Sequence, residues 1–418
     1  MTDTNQAIRA ASYHTNYQRW RYTDEITEFP QALVSPQFTT TTDHDFTTGH
    51  GMLFTAFNGG VYDQHGTIVE SALHRSMVRH LPDNVPYQEH TEPLSGNWLY
   101  GGYLQRHIGH MLIESLGRLW AFDQLKDKLD GVVFVLMNGH YPVGSKLSFD
   151  EWLVDAGEKG RVIRYFRELL DFLGIDKPIR VVGRPVRVEH LHVPAQGMGL
   201  LTQGDLIGGS APYRAFIKRR LAAQNFPAPA TRKLYISRAR LVRAGLPAGQ
   251  FFQESRLEQF FASEGYEIIY PELQDIPTQI AQYAMASHIV LPAGSAAHVA
   301  ALCINGQQNI AVLRRFPRQN DQFTPQLRAM EPKSAVLVEA LSGMFRPIQK
   351  EDWQKIGYSM ASGAYLPDYP RLTVELRDLG FIANTLPHSP AIMEELTAEC
   401  AAFTAYTKVP FEFATLPP

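Results

Sequence analysis

The sequence predicts an α/β protein with two domains, and three observations support this prediction. A chain of 418 residues is longer than one hydrophobic core usually supports, since cores stop growing at about 250–300 residues. Continuous apolar runs such as GVVFVLMNG alternate with helical stretches, as expected for buried parallel strands covered by helices. Beyond residue 230, strands and helices alternate in the order of a doubly wound, Rossmann-like sheet.

The second half of the chain has the clearest pattern. The predicted strands are 233–237, 266–270, 288–291 and 309–313, and the predicted helices are 254–264, 277–286 and 296–303. A Pro/Ala cluster at 227–230 indicates a boundary between a domain of residues 1–226 and a domain of residues 227–340. Residues 341–418 form a proline-containing tail without a confident assignment.

The first half is harder to interpret. Residues 1–95 are poorly periodic, and a helix is predicted from about residue 106 to about residue 128. A buried strand follows at 131–139, then a helical stretch at 147–175 with a break near two glycines, and further strand character at 179–194.

Composition excludes several classes of protein. A net charge of −3 and a pI near 6.6 leave no electrostatic footprint for nucleic acid or an anionic membrane. Two cysteines, Cys303 and Cys400, argue against a disulfide framework. The first residues show no apolar signal region, and no apolar window is long enough to span a bilayer. We therefore expect a cytoplasmic protein with no integral membrane span.

One predicted helix carries four polar groups on a single face: His107, His110, Glu114 and Arg118. They form either a solvated face joined by an i,i+4 Glu–Arg pair or an acid/base site in which a carboxylate is held charged to accept a hydroxyl proton. A metal site is a third alternative, although the spacing fits no standard zinc signature.

A second candidate site is the turn after the strand at 288–291. Gly294, Ser295, Ala296 and Ala297 are small residues at the start of a helix. Their backbone N–H groups and the positive helix end would suit a phosphate that approaches closely. A tight strand–helix packing junction is the alternative, but the carboxyl end of a parallel strand is where open α/β sheets bind ligands.

Two charged residues follow two other predicted strands. Arg238 is suited to bind a diphosphate through two parallel hydrogen bonds, and otherwise is a surface arginine. Glu272 either accepts hydrogen bonds from ribose hydroxyl groups or caps the next helix. Both residues are expected at the same edge of the sheet as the Gly294 turn.

The order of these motifs resembles family 61 glycosyltransferases over roughly residues 100–315. The matching elements are Ser237-Arg238, Glu254, Gly265-Tyr266, Pro271-Glu272, Gln279-Ile280 and the Gly294–Ala297 turn. The family's amino-terminal helix carries His, an acidic residue and Arg at intervals of four, as do His110, Glu114 and Arg118. Three positions depart from the pattern. Where the family usually has a His-Gly-Ala turn, this chain has Ala293-Gly294-Ser295, so that His298 is the nearby histidine. The family's common Asn-Glu pair is Gln253-Glu254 here, and Glu114 stands where the family frequently has Asp.

The resemblance implies two facing Rossmann-like domains in the glycosyltransferase B arrangement, with a tail that crosses back to the first domain. It implies an inverting, metal-independent transfer from a nucleotide-diphosphate sugar, UDP-linked foremost, to a saccharide acceptor in bacterial surface polysaccharide synthesis. No other cofactor is implied. Either Glu114 or His110 would be the general base, with Glu114 slightly favoured. Arg118 and His107 would either lie on the acceptor side or orient the base, and Arg238, Glu272 and the Gly294–Ala297 turn would bind the donor.

Two other classes of protein stay open from the sequence. One is a Rossmann-type oxidoreductase that uses a nucleotide cofactor, against which the lack of a Gly-x-Gly-x-x-Gly sequence counts. The other is a non-catalytic glycan- or nucleotide-binding protein. The sequence leaves open the sugar, the acceptor, the linkage and the oligomeric state.

Overall fold

A computed structural model shows two compact units. It describes residues 23–35, 40–41, 56–57, 59–75, 79–80, 91–105, 108–136, 161–182, 185–199, 205–227, 231–243, 246–247, 249, 251–317, 321–356, 363–386 and 392–416. Of these described residues, unit 1 comprises those within 23–164 and 175–216, and unit 2 comprises those within 165–174 and 217–416. The domain boundary at 226/227 stays a prediction.

Unit 1 contains a mixed six-stranded sheet. Its strands are β1 (Ile26–Ser35), β2 (Gly60–Tyr62), β3 (Glu92–Leu104), β4 (Gly131–Leu136), β5 (Ile179–Val182) and β6 (Val186–Pro194). Their spatial order is β2-β1-β6-β3-β4-β5. The four strands from β6 to β5 are parallel neighbours, whereas β1 runs antiparallel to both β2 and β6.

The prediction missed β3, whose first four residues lie in the poorly periodic region 1–95. Glycines weaken the strand signal in a sequence, and β3 contains three of them. Gly101 is required by packing, because a Cβ at this position would lie 2.3 Å from Cε1 of Phe134 on the neighbouring strand. The glycines therefore reflect close packing within the chain.

The predicted regular helix over 106–128 is wrong. A single α-turn at Ile108–His110 passes into a π-helical turn at Met111–Ser115, and a 3₁₀ turn and a short α-helix follow at Leu119–Ala121 and Phe122–Leu125. Residues 106 and 107 lie outside the described residues. The backbone passes very close to another segment here, since a Cβ on Gly117 would lie 2.4 Å from the Met198 carbonyl oxygen. A helical wheel at 100° per residue does not apply to such a segment.

Unit 2 is built on a parallel five-stranded sheet. Its strands are β7 (Lys233–Ile236), β8 (Tyr266–Ile269), β9 (His288–Pro292), β10 (Asn309–Leu313) and β11 (Ser334–Val338), in the order β8-β7-β9-β10-β11. Among the described residues, the longer helices up to the end of this sheet are α1 (Arg161–Phe172), α2 (Ala211–Ala223), α3 (Glu254–Ser263), α4 (Ile276–Ala284), α5 (Ser295–Leu302) and α6 (Phe323–Ala329). The predicted strands and helices of this half are confirmed to within two residues.

The order of these strands creates a topological switch point. The chain moves from β7 outward to β8, then returns to the other side of β7 to form β9. Sheets with this order bind ligands at the carboxyl ends of the two strands on which the direction reverses, here β7 and β9. The residues that follow these strands are Ser237 and Ala293.

The tail packs within unit 2. It forms β12 (Leu341–Pro347), β13 (Tyr365–Pro367), β14 (Phe411–Thr415) and the helices α7 (Lys350–Lys355), α8 (Tyr369–Asp378) and α9 (Ile392–Thr407). Phe345, Tyr365 and Phe411 share one hydrophobic core with Tyr235 and Phe261. Across the described parts of the chain, no helix is both long enough and apolar enough to cross a membrane.

Candidate active site

A buried carboxylate at the carboxyl end of β3 is the centre of the first polar cluster. The Glu114 side chain is 0% exposed and lies on the π-helical turn. Gln105 Nε2 donates to its Oε2 atom at 2.7 Å, and His110 Nδ1 lies 3.2 Å from its Oε1 atom. His74 Nε2 lies 3.4 Å from Oε2. These four residues are called the histidine–glutamate cluster.

The cluster keeps Glu114 ionised. Burial alone would raise the pKa of Glu114, but the charges and hydrogen bonds of His110 and His74 outweigh burial and hold this pKa below its ordinary value. Burial also acts to lower the pKa of His110, and the charge and hydrogen bond of Glu114 overcome it, so that the pKa of His110 is raised. A carboxylate–imidazole pair of this kind can hold a proton on His110.

His110 is the more accessible partner. Its side chain is 34% exposed, whereas that of Glu114 is fully buried. A substrate hydroxyl can therefore approach the imidazole, and the carboxylate can act through it. The solvated-face interpretation of this helix is wrong because Glu114 and Arg118 are each only 2% exposed.

Arg118 holds the backbone that carries His74. Its guanidinium donates to the carbonyl oxygens of Ser71 at 2.7 Å and Leu73 at 3.0 Å, and also to that of Pro194. Burial lowers the pKa of Arg118 to about 10, so it stays charged at neutral pH. Of the two roles predicted for this residue, its contacts support the orienting role.

His107, the fourth residue of the predicted face, lies outside the described residues. Within the described ranges, no group of three or more His, Cys, Asp or Glu side chains is placed to hold a metal ion.

The second site is the carboxyl edge of the sheet in unit 2. Gly294 follows the central strand β9, Arg238 follows β7 on one side, and Arg315 follows β10 on the other. A Cβ on Gly294 would lie 3.0 Å from Nη1 of Arg238. Arg238 Nε and Arg315 Nη1 both donate to the carbonyl oxygen of Gly249, at 3.1 and 2.8 Å, and Arg315 Nε donates to that of Ala293. We call Arg238, Gly294 and Arg315 the two-arginine edge.

A buried glutamate, Glu254, binds the backbone of this edge at Arg238. It is 3% exposed, and its Oε1 atom accepts from the backbone N–H of Arg238 at 2.6 Å and from the hydroxyls of Tyr235 and Ser237 at 3.3 Å each. Burial raises the pKa of Glu254 to about 7, against the lowering effect of the Arg238 N–H and charge. The glutamate that the resemblance indicated without a role therefore fixes the backbone of Arg238.

The predicted turn residues are not equivalent. Gly294, Ser295 and Ala296 are half-buried, and α5 begins at Ser295. Ala297 is buried, and its N–H donates to the Gly294 carbonyl at 3.0 Å. Gly294, Ser295 and Ala296 are therefore better placed than Ala297 to contact a ligand.

Two further predicted residues have different surroundings. Glu272 lies in a 3₁₀ turn after β8. Burial lowers the pKa of Arg238, and the charges of Glu254 and Glu272 act in the opposite direction and raise it. His298 is buried, and its Nδ1 atom donates to Gln326 Oε1 at 2.6 Å. His298 therefore packs between helices α5 and α6 instead of replacing the histidine of the usual turn.

Sequence reasoning missed His74, Gln105 and Arg315. His74 lies in a region without periodicity, and nothing in the sequence links it to residues forty positions later. Arg315 had a usable signal, because it follows a strand that was correctly predicted and whose carboxyl end lies at the same edge as Arg238.

Residues 108–310 match the family model described as Glycosyltransferase 61. The matched segment includes His110, Glu114, Arg238, Glu254 and Gly294, and thus parts of both sites. No curated protein matches the chain.

Proposed function

Since the protein is a glycosyltransferase of family 61, we propose that it transfers a sugar from a nucleotide-diphosphate sugar, UDP-linked foremost, to a saccharide hydroxyl with inversion at the anomeric carbon. The observation that carries this proposal is the Gly294 turn between two arginines at the switch point of a parallel sheet. The glycosyltransferase B arrangement is part of the same proposal, as is a cytoplasmic role in bacterial surface polysaccharide synthesis.

The edge of unit 2 suits a leaving diphosphate. In the transfer, negative charge develops on the diphosphate oxygen as its bond to the anomeric carbon breaks. Guanidinium groups and helix N-termini stabilise such charge because their dipoles and donors are already oriented. Arg238 and the N–H groups of Ser295 and Ala296 are the groups we assign to this role.

The cluster of unit 1 suits removal of the acceptor proton. The acceptor oxygen forms a bond to the anomeric carbon, its proton moves to His110, and the electron pair of the broken bond leaves with the diphosphate. Glu114 orients the imidazole and stabilises the imidazolium, as a buried carboxylate does for a catalytic histidine. The exposure of His110 and the burial of Glu114 favour His110 as the base, which reverses the slight preference for Glu114 from the sequence.

Metal independence needs its own test. The chain contains one Asp-x-Asp sequence, Asp43-His44-Asp45, which lies outside the described residues. If the EDTA-treated protein transfers the sugar at the same rate as the untreated protein, the arginine-based mechanism is supported. Transfer lost with EDTA and restored by Mg²⁺ or Mn²⁺ contradicts it.

Ligand binding separates the proposal from its alternatives. We expect UDP-sugars to raise the melting temperature of the wild-type protein, since a ligand that binds only the folded state stabilises it. Stabilisation by NAD but by none of the UDP-, GDP- or CMP-sugars would contradict the proposal and favour an oxidoreductase. Binding without product formation on any of a panel of saccharide acceptors would favour a non-catalytic protein.

A further inference from the structure

Arg315 occupies a place in unit 2 that mirrors that of Arg238. The two arginines follow β10 and β7, the strands on either side of β9. Their guanidinium groups share one acceptor, the carbonyl oxygen of Gly249, at 2.8 and 3.1 Å. Arg315 also donates to the carbonyl of Ala293, the residue just before Gly294. Both side chains are therefore held on either side of the Gly294 turn.

Holding two guanidinium groups so close together concentrates positive charge. Burial, and then the charge of Arg238, lower the pKa of Arg315 to about 9. Glu254, the buried carboxylate beside them, has a pKa raised to about 7 by burial and so balances this charge incompletely at neutral pH. A bound anion with two or more charges would relieve the repulsion between the two arginines.

The neighbouring residue has a different environment. Arg314 is the first residue after β10, and its Nη2 atom lies 2.5 Å from Oε1 of Glu339. Consecutive side chains at a strand end point to opposite faces, which explains why one arginine forms an ion pair and the other joins the edge. The chain thus provides a matched control at the next position.

We propose that Arg315 is a second diphosphate ligand, which binds one phosphate group of a nucleoside diphosphate while Arg238 and the Gly294 turn bind the other. This inference rests on the proposed function, because it names residues of the same donor site. Two guanidinium groups for two phosphates make the site selective for diphosphates over monophosphates.

The alternative is a purely structural arginine that fastens the backbone at Gly249 and Ala293. Such a residue would contribute to stability and would affect all ligands of the edge alike. A direct phosphate ligand contributes mainly to diphosphate affinity. The ratio of UMP to UDP dissociation constants distinguishes the two roles, since a structural role does not change it selectively.

The experiment measures UDP, UMP and inorganic pyrophosphate binding to the full chain by calorimetry at fixed ionic strength. For Arg315→Gln we expect UDP and pyrophosphate affinity to fall by about 10- to 100-fold, the range for losing a hydrogen bond to a charged group. UMP affinity should change by less than about threefold. Arg315→Lys, which keeps the charge but loses the planar fork, should be intermediate. Arg314→Gln should bind all three ligands as the wild type does.

The outcomes separate the inference from the function on which it rests. If the wild type binds UDP and both Arg315 variants keep its selectivity for UDP over UMP, Arg315 is a structural arginine and the inference is wrong while the proposed function stands. If the wild type binds neither UDP nor pyrophosphate, the UDP-linked donor of the proposed function is wrong as well. Should Arg315→Gln fail to fold, Arg315→Lys decides by the same ratio.

Discussion

The two candidate sites differ in how their charges are balanced. In the histidine–glutamate cluster, the Glu114 carboxylate lies between two imidazoles and an amide, and its negative charge is compensated locally. In the two-arginine edge, two guanidinium groups lie together above a glutamate whose pKa burial raises to about 7. The first arrangement suits the transfer of a proton, and the second suits the binding of an anion.

Because the charges are balanced differently, each site should respond in a different measurement. A change in the cluster should alter the rate of transfer and its pH dependence, with little effect on nucleotide affinity. A change at the edge should alter nucleotide affinity with little effect on the pH dependence. A variant that affects both properties equally would show that the two sites are not separate in function.

The largest expected effect is on the transfer rate of His110→Ala. Loss of a general base typically lowers the rate by about 10²- to 10⁴-fold, and UDP affinity should stay within about twofold of wild type, since no contact at the edge changes. Steady-state kinetics with UDP calorimetry checks both parts. His190→Ala is the control, because His190 Nδ1 also lies 3.0 Å from a glutamate, Glu28, but in an exposed position. Similar rates for both variants would exclude His110 as the base.

Arg118→Met should have the largest effect on stability. It removes the donor to three backbone carbonyls, one in a buried contact and two in partly buried contacts, and an acceptor left unsatisfied in a buried position costs about 1–3 kcal/mol. We expect the free energy of unfolding to fall by about 3 kcal/mol or more, measured by urea denaturation. Arg187→Met, which removes one exposed donor to the Gln31 carbonyl, should cost at most about 0.5 kcal/mol. Equal losses would contradict the orienting role of Arg118.

At the edge, Arg238→Gln should weaken UDP binding by about 10- to 100-fold, which corresponds to the loss of a charged hydrogen bond. The pH dependence of the residual transfer should match that of the wild type. Arg240→Gln provides the control, since Arg240 is exposed and stacks over the Tyr270 ring at 4.2 Å. Unchanged UDP affinity in Arg238→Gln would remove Arg238 from the donor site.

The edge could largely be predicted from the sequence, because its determinants are local. Apolar runs, helix periodicity and the small residues of the Gly294 turn located β7 to β10 and α3 to α5 to within two residues. Parallel strands place their carboxyl ends at one edge, so Arg238 and Gly294 were expected together. Arg315 was missed although the same rule applies to it.

The cluster could be predicted only in part, because it depends on tertiary contacts. The spacing of His110, Glu114 and Arg118 was visible, but the π-helical turn and the burial of Glu114 were not. His74 lies beside Glu114 in the fold, and Arg118 binds the carbonyls of Ser71 and Leu73, which precede His74 in the chain. The hydrophobic periodicity of a sequence does not reveal a tertiary contact of this kind.

The pH dependence of the cluster follows from the raised pKa of His110. As pH rises through this pKa, His110 loses its proton and can act as a base, so transfer should increase. The same deprotonation removes stability, because a group with a raised folded-state pKa contributes fully only below its ordinary pKa of about 6.5. The contribution of Glu114, whose pKa is lowered, is present above its ordinary value and is lost only in acid.

The proposed action of Glu114 through His110 is tested most directly by the acid limb of the pH profile of kcat/KM in the wild type, Glu114→Gln and His74→Leu. Glu114 faces His110, His74 and Gln105, and the charged Arg118 lies on the same helical segment. We predict a wild-type limb above the ordinary histidine pKa, a shift to lower pH in Glu114→Gln, and a shift to higher pH in His74→Leu, where Glu114 interacts more strongly with His110. A limb at the same pH in all three proteins would contradict the claim that a buried glutamate acts through His110.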